Sequence, residues 1–400
     1  MARISVHALA GQEGKMATIR AYWPIDMFNT DLFYGTVTQA DSTIIRVTDG
    51  VNTAVYGGVG FQYANNSVVA GTLTSFRQYY YGSLLGEAVD LSVPASFASS
   101  AITSNNLGAL FQTALRGHDN IYGSSGNDYL RGFDGNDLMS GGGGNDYIDG
   151  GTGFDLAGYA GQRAAYVIEY DSSNGTIVVI DKSGFDGADR LDSIEFIGFA
   201  DGIYNLNILP LAASIPRSAL DSLVDLYVAY FNRVPEASGL AYWIAQYNNG
   251  KSLDQIAVEF YHAGVQFSSI TGYSSNMPLA DFVGILYENV LGRTGQNAPE
   301  QWEIDYWLNE AAAGRVSREG MVQSFLEGAR NFYGHPDVGY VPELLDNKVE
   351  LGRLHAVTYG IDYNNQQEAI AKTVALAAAV TPDGIDYAVD MIGLGPDNYI

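Results

Sequence analysis

Residues 114–158 repeat with a period of nine, and that register limits the chain more than any other feature. Read in nines the stretch runs ALRGHDNIY, GSSGNDYLR, GFDGNDLMS, GGGGNDYID, GGTGFDLAG. The fourth position is always glycine (Gly117, Gly126, Gly135, Gly144, Gly153) and the sixth always aspartate (Asp119, Asp128, Asp137, Asp146, Asp155). The eighth is apolar: Ile121, Leu130, Met139, Ile148 and Ala157. Gly123, Gly132, Gly141 and Gly150 open four of the five units. A flexible linker has no reason to hold aspartate in register, so the stretch is a structural repeat.

Its chemistry points to calcium. That ion takes about six to eight oxygens, from carboxylates and carbonyls, at roughly 2.3–2.6 Å. Glycine lets the backbone turn carbonyls inward, aspartate supplies charge, and the eighth residue points from a short strand into a narrow core. Two units make one coil, so units one, three and five fall on one edge and units two and four on the other. Calcium then sits between Asp119 and Asp137, Asp137 and Asp155, and Asp128 and Asp146. That gives about three ions within the repeat, with more where flanking acids complete the ends. The plainer alternative is a metal-free glycine-rich loop, but unneutralised aspartates at coil spacing repel each other.

The whole chain leans the same way. Forty-five acidic against 20 basic residues among 400 give a net charge of -25. A phosphate backbone repels such a surface, so nucleic acid is not an expected partner. There is no cysteine, which removes disulfides, thiolate metal sites and cysteine nucleophiles.

Residues 1–16 read as unstructured, with Met1 or Met16 as the natural start. They lack the apolar core of a secretory signal, and no window is long and apolar enough to span a bilayer. Residues 17–113 read as a β-rich domain: a β-branched strand over 43–48, a turn at Asp49-Gly50, then short strands over 51–56, 60–63 and 67–77. Tyr79, Tyr80 and Tyr81 are either half-buried sheet residues or an aromatic platform for a sugar or surface. Residues 102–115 read as a short helix leading into the repeat. Beyond it, 159–212 read as β segments capping the roll, with 166–170 and 176–181 paired as a hairpin around 172–175. Asp186, Asp189, Asp192 and Asp201 either solvate turns there or cap the calcium-binding stack.

At Pro216 the period changes from two to 3.6. Leu220, Leu223, Val224, Tyr227, Val228 and Phe231 share one helix face, which Pro235 closes. A second helix follows around Leu240, Trp243, Ile244 and Tyr247, and a third is opened by a capping box of Ser252 and Gln255. The block then recurs. Leu226-Tyr227 and Asn232-Arg233 are echoed by Leu286-Tyr287 and Gly292-Arg293, Tyr242-Trp243 by Tyr306-Trp307, and Phe260 by Phe325. The expected fold is multidomain β plus α. It comprises an N-terminal β domain, a short parallel β-roll with calcium-binding turns, and an all-α domain over 213–400. That last domain duplicates one helical unit, over about 219–267 and 279–332, ahead of C-terminal helices.

The nonapeptide resembles the hemolysin-type, or RTX, calcium-binding repeat G-G-x-G-x-D-x-U-x. Ala114-Leu115, Ser124 and Phe133 depart from it at glycine positions. The segment from Gly184 to Tyr204 is similar to what trails the repeats in that family. The helical part, with Leu226-Tyr227, Arg233-Val234-Pro235, Gly239-Leu240 and Tyr242-Trp243, resembles a domain of unassigned function. That domain is found beside RTX repeats in exported surface and S-layer-like proteins. It carries no known catalytic residues, and Arg233 and Arg293 are read as binding local carboxylates or helix ends. The resemblance implies a parallel β-roll and type I export from a Gram-negative bacterium, with an uncleaved C-terminal signal and no N-terminal signal peptide. It implies an extracellular or cell-surface location.

Catalysis finds little support in the residues. There is no H-E-x-x-H and no G-x-S-x-G elbow. His7, His118, His262, His335 and His355 are scattered, and the pair Asp26 and Asp31 is weak in so acidic a chain. No enzyme is expected. The expected function is that of a calcium-binding exported protein with a structural, adhesive or S-layer-like role, folding on calcium after secretion. Self-association or a cell-surface glycan is the expected partnership. The alternatives are a secreted enzyme or a carbohydrate-binding module with its site in the N-terminal β domain.

Overall fold

Each nonapeptide contributes one three-residue strand to a coil, and the rest of the first unit is built onto that coil. The computed structural model describes residues 16–29, 34–171, 176–318, 320–336, 338–363 and 365–393. The N-terminal residues through His7 to position 15, Asp31 and the hairpin tip at 172–175 lie outside them. The chain divides into two compact units between Gly202 and Ile203.

The first unit begins with β1 (Thr18–Ala21), then an antiparallel meander of β2 (Thr36–Ala40), β3 (Ile44–Thr48), β4 (Asn52–Ala64), β5 (Ser67–Tyr80) and β6 (Ser83–Val89). The glycines read as breaks between short strands do not break them. Gly57, Gly58 and Gly60 lie inside the single strand β4, where its register against β5 shifts, so they mark bulges rather than turns. After β7 (Val93–Pro94) the expected single helix over 102–115 is two, α1 (Ala95–Thr103) and α2 (Leu107–Ala114). They are broken where Asn105 takes φ 54°. The Asn106 side chain then caps α2 by accepting the Ala109 N–H at 3.3 Å.

The repeat strands follow: β8 (Asn120–Tyr122), β9 (Tyr129–Arg131), β10 (Leu138–Ser140), β11 (Tyr147–Asp149) and β12 (Leu156–Gly158). They alternate between two parallel stacks. β8, β10 and β12 pair in one, and β9 and β11 in the other. The eighth-position residues Ile121, Leu130, Met139, Ile148 and Ala157 are all buried between the stacks. The larger ones each contribute about 1.5–3 kcal/mol by leaving water. β1 pairs in parallel with β8, Ile19 opposite Ile121, so the division drawn at 113/114 runs through a continuous sheet. The strands β13 (Tyr166–Asp171) and β14 (Thr176–Asp181) form the expected hairpin, Ile168 opposite Val179. Then β15 (Ala188–Asp192) adds in parallel to β11 and β16 (Phe196–Phe199) to β12, burying Leu191 and Ile197 in line with the repeat core.

Among the described residues the second unit is mainly helical, but it departs from the all-α expectation where β17 (Gly202–Asn205) pairs antiparallel with β18 (Ile361–Asp362) and where Thr381 bridges Gly384. Its helices are α3 (Ile208–Ala213), α4 (Arg217–Phe231), α5 (Ala237–Asn248), α6 (Leu253–Gln266), α7 (Ser268–Thr271), α8 (Leu279–Leu291), α9 (Gln301–Ala312), α10 (Met321–Arg330), α11 (Val341–Arg353), α12 (Gln366–Ala379) and α13 (Asp386–Ile392). The duplication holds in three dimensions. α4–α6 and α8–α10 end their first helix on a left-handed residue, Asn232 in one and Gly292 in the other. Tyr227 meets Phe260 edge-on at 5.1 Å, and Tyr287 meets Phe325 at 4.9 Å. Trp243 stacks on Phe260 and Trp307 lies over Phe325. Arg233 pairs with Glu236 and Arg293 with Glu303, so both arginines serve local carboxylates.

Candidate calcium-binding roll

Asp119, Asp128, Asp137, Asp146 and Asp155 each sit in the turn just before a repeat strand, and none is more than 3% exposed. They are joined in ladders. The Asp119 N–H donates to Asp137 Oδ1 at 2.8 Å and the Asp137 N–H to Asp155 Oδ1 at 2.7 Å. On the other edge the Asp128 N–H donates to Asp146 Oδ1 at 2.8 Å. The three pairs expected from the spacing are thus the three that meet. At the N-terminal end main-chain groups take the place of a preceding aspartate: the Ala17 N–H donates to Asp119 Oδ1 and the Ile25 N–H to Asp128 Oδ1.

The second carboxylate oxygen is free. Oδ2 of Asp119, Asp137, Asp146 and Asp155 is buried and has no hydrogen-bond partner. Burial, and then repulsion from Asp155, Asp119 and Asp134, pushes the Asp137 carboxyl up to about 8, against the hydrogen bond from Asp119. Burial likewise pushes Asp146 and Asp155 to about 7 and Asp119 to about 6. A buried carboxylate in that position takes up either a proton or a cation. Asp128 differs: its Oδ2 accepts the N–H and hydroxyl of Ser124, at 2.6 and 2.9 Å.

Peptide carbonyls line the same space. Gly135 has φ 132°, and a Cβ there would fall on the Gly117 carbonyl. A Cβ on Gly132 would strike the Asp137 carboxylate and the Gly150 carbonyl, and one on Gly141 the Asp146 carboxylate. The fourth- and first-position glycines therefore leave open a cradle that any side chain would fill. Among the described residues no group of three or more His, Cys, Asp or Glu side chains converges on one point. The donor set is instead carboxylate plus peptide oxygen, hard ligands that suit calcium. His118 is not among them; its Nδ1 accepts the Asn136 N–H at 2.8 Å.

The model of the RTX calcium-binding nonapeptide repeat matches residues 113–148 and 122–157. These are RTX repeats. RTX nonapeptides bind calcium, and calcium is the cofactor of this chain. A domain of unknown function, DUF4214, matches residues 267–333, which hold the second copy of the duplicated helical unit. No curated protein matches the chain. Among solved structures, the extracellular lipase LipA from Serratia marcescens is 27% identical over 23% of this chain and 17% of that one, with a TM-score of 0.20.

Two acids of the RTX roll lie beyond the five units. The Asp146 N–H donates to Asp189 Oδ1, and the Asp155 N–H to Glu195 Oε2, both at 2.8 Å. Asp189 is buried, so it does not solvate a turn. Asp186, Asp192 and Asp201 have other work, accepting the Tyr166 hydroxyl, the Tyr147 hydroxyl and the Arg163 N–H. Glu195 falls outside the nine-residue register because its turn is short. Asp189 carried a signal, since Gly187, Asp189 and Leu191 keep the spacing of positions four, six and eight.

Proposed function

We propose that calcium entering the turns is what folds the RTX roll. The chain then works outside a bacterial cell, after type I export, as a structural, adhesive or S-layer-like component. Asp119, Asp128, Asp137, Asp146 and Asp155 would hold the ions, with the carbonyls around Gly117, Gly126, Gly135, Gly144 and Gly153 completing the shell. The observation that carries this reading is the row of buried aspartate oxygens without partners. Without a cation a buried rung has only a proton to neutralise it, and with one it becomes an electrostatic cross-link between coils. Each ion at a hundredfold excess over its dissociation constant adds about 2.7 kcal/mol to folding. At low cytosolic calcium the segment stays open and exportable; outside, it closes.

Circular dichroism and thermal melts with calcium and with chelator test this. Superimposable curves would sink the mechanism. Electron microscopy of the full chain tests the structural role, with ordered assemblies expected in calcium and dispersed particles counting against it.

Recognition of a surface glycan is a second reading, favoured by Tyr80 and Tyr81. They are 46% and 71% exposed and meet edge to face at 4.7 Å, an apolar platform of the kind sugars stack on. A glycan array probed with the full chain and with Tyr81→Ala distinguishes it, and equal signals from both would remove it.

A further inference from the structure

We infer that residues 184–192 form a sixth calcium-binding turn, detached from the other five by the inserted β13–β14 hairpin and completing an ion site between Asp146 and Asp189. The stretch reads GFDGADRLD, with Gly184 at position one, Gly187 at four, Asp189 at six and Leu191 at eight. The third unit reads GFDGNDLMS. The family match ends at residue 157 and does not include this stretch.

From the fourth position to the eighth its place in the coil is that of a repeat unit; at the first, Gly184 has φ 79° and a Cβ there would meet nothing, unlike Gly132 and Gly141. β15 pairs in parallel with β11, Leu191 opposite Ile148, as β11 does with β9, Ile148 opposite Leu130. Asp189 Oδ1 accepts the Asp146 N–H at 2.8 Å, as Asp146 Oδ1 accepts that of Asp128. The Ala188 N–H donates to Asn145 Oδ1 at 2.8 Å, as the Asn145 N–H donates to Asn127 Oδ1. Gly187 has φ 75°, and a Cβ there would fall on the Gly144 carbonyl.

The second oxygen points to a ligand. Asp189 is 1% exposed, and its Oδ2, like that of Asp146, has no hydrogen-bond partner. The buried Tyr159 hydroxyl interacts with this carboxylate without reaching hydrogen-bonding geometry. Two buried carboxylates one rung apart, with peptide oxygens beside them, are what a divalent hard cation takes.

The inference rests on the reading that the RTX turns bind calcium, and counting ions on the full chain separates the two. By native mass spectrometry, Asp189→Asn is expected to carry one calcium fewer than the wild type. Equal counts would overturn the sixth site and leave the repeat's calcium intact. A wild type carrying no calcium would overturn the underlying reading. Because Asp189→Asn could also disturb folding, hydrogen exchange on the unmodified chain gives an independent answer. Calcium is expected to slow exchange of the amides of 188–192 along with those of the repeat. Slowing confined to 114–158 would overturn the inference.

Discussion

The main-chain N–H of Asp119 and the Oδ1 of Asp137 lie 2.8 Å apart across eighteen residues of chain. That bond splits the work of one carboxylate. Oδ1 ties coil to coil through the backbone and needs no charge to do so, while Oδ2 is left buried without a partner. Asp137 also donates its own N–H to Asp155, so it is the middle rung of the longer stack and borders two of the three pairs.

Asp137→Asn should therefore act differently with and without calcium. The amide keeps an oxygen to accept the Asp119 N–H but cannot neutralise a cation. In calcium, the melting temperature is expected to fall most of the way to the chelated value. In chelator at neutral pH little should change, under about 1 kcal/mol, because the carboxyl is pushed to about 8 and an amide is close in shape to the protonated acid. Paired thermal melts decide it. Equal destabilisation in both conditions would make the side chain a purely structural rung.

Ser124 offers the opposite test. It stands where the repeat calls for glycine, and its hydroxyl occupies Asp128 Oδ2 at 2.9 Å. Ser124→Gly removes the hydroxyl while keeping the main-chain N–H that donates to the same oxygen at 2.6 Å, and is expected to tighten calcium binding on the second stack. One hydrogen bond at about 0.5–1.5 kcal/mol corresponds to up to roughly tenfold in affinity. Calorimetric titration of the full chain reads it. Weaker binding would mean that the hydroxyl itself is a ligand.

The roll was legible because its determinants are local. Position eight sets the core and position six the ladder, so a period of nine is enough to bring Asp119, Asp137 and Asp155 together. What the period does not carry is resumption after an insertion, and β13–β14 hid Asp189 from it. Glu195 was harder still. The Ser193 carbonyl lies against Gly150 in the place a first-position residue takes, yet Glu195 follows it by two residues rather than five, and its longer side chain covers the shortfall. α1 was misplaced for a different reason: its buried face is Ala95, Ala98 and Ala101, side chains too small to register as an apolar stripe. α4, with Leu223, Val224 and Val228 fully buried, announced itself by the same rule.

The two copies of the helical unit should not tolerate the same substitution equally. Arg293 grips Glu303 through two nitrogens, at 2.5 and 2.8 Å, whereas Arg233 reaches Glu236 by a single contact of 3.4 Å. Both guanidinium groups also lie over a tyrosine, Tyr287 and Tyr227, at 5.2 Å. Lysine supplies the charge without the planar fork. Arg293→Lys is expected to cost about 1–2 kcal/mol, and Arg233→Lys clearly less. Urea unfolding followed by tryptophan fluorescence compares them, and equal losses would locate the energy in the shared tyrosine contact.

His355 makes the helical unit sensitive to acid. Its ring is fully buried, donating from Nδ1 to the Pro235 carbonyl and accepting at Nε2 from the Tyr363 hydroxyl, both at 2.8 Å. Burial pushes it down to about 4 from an ordinary 6.5, helped by the Lys372 charge and opposed by the Pro235 bond. A folded-state value below the unfolded one means that the unfolded chain binds the proton first. The stability is therefore complete above about pH 6.5 and lost as pH falls toward 4, by about 3 kcal/mol. Asp362, which burial pushes up to about 6, works in the other direction over much of that window, so the net curve of the wild type hides both effects. Subtracting the curve of His355→Gln cancels the Asp362 contribution. The advantage of the wild type over that variant should shrink steadily between about pH 6.5 and 4 in chemical unfolding at fixed calcium. A difference that stays flat with pH would mean that the imidazole is protonated in the folded chain.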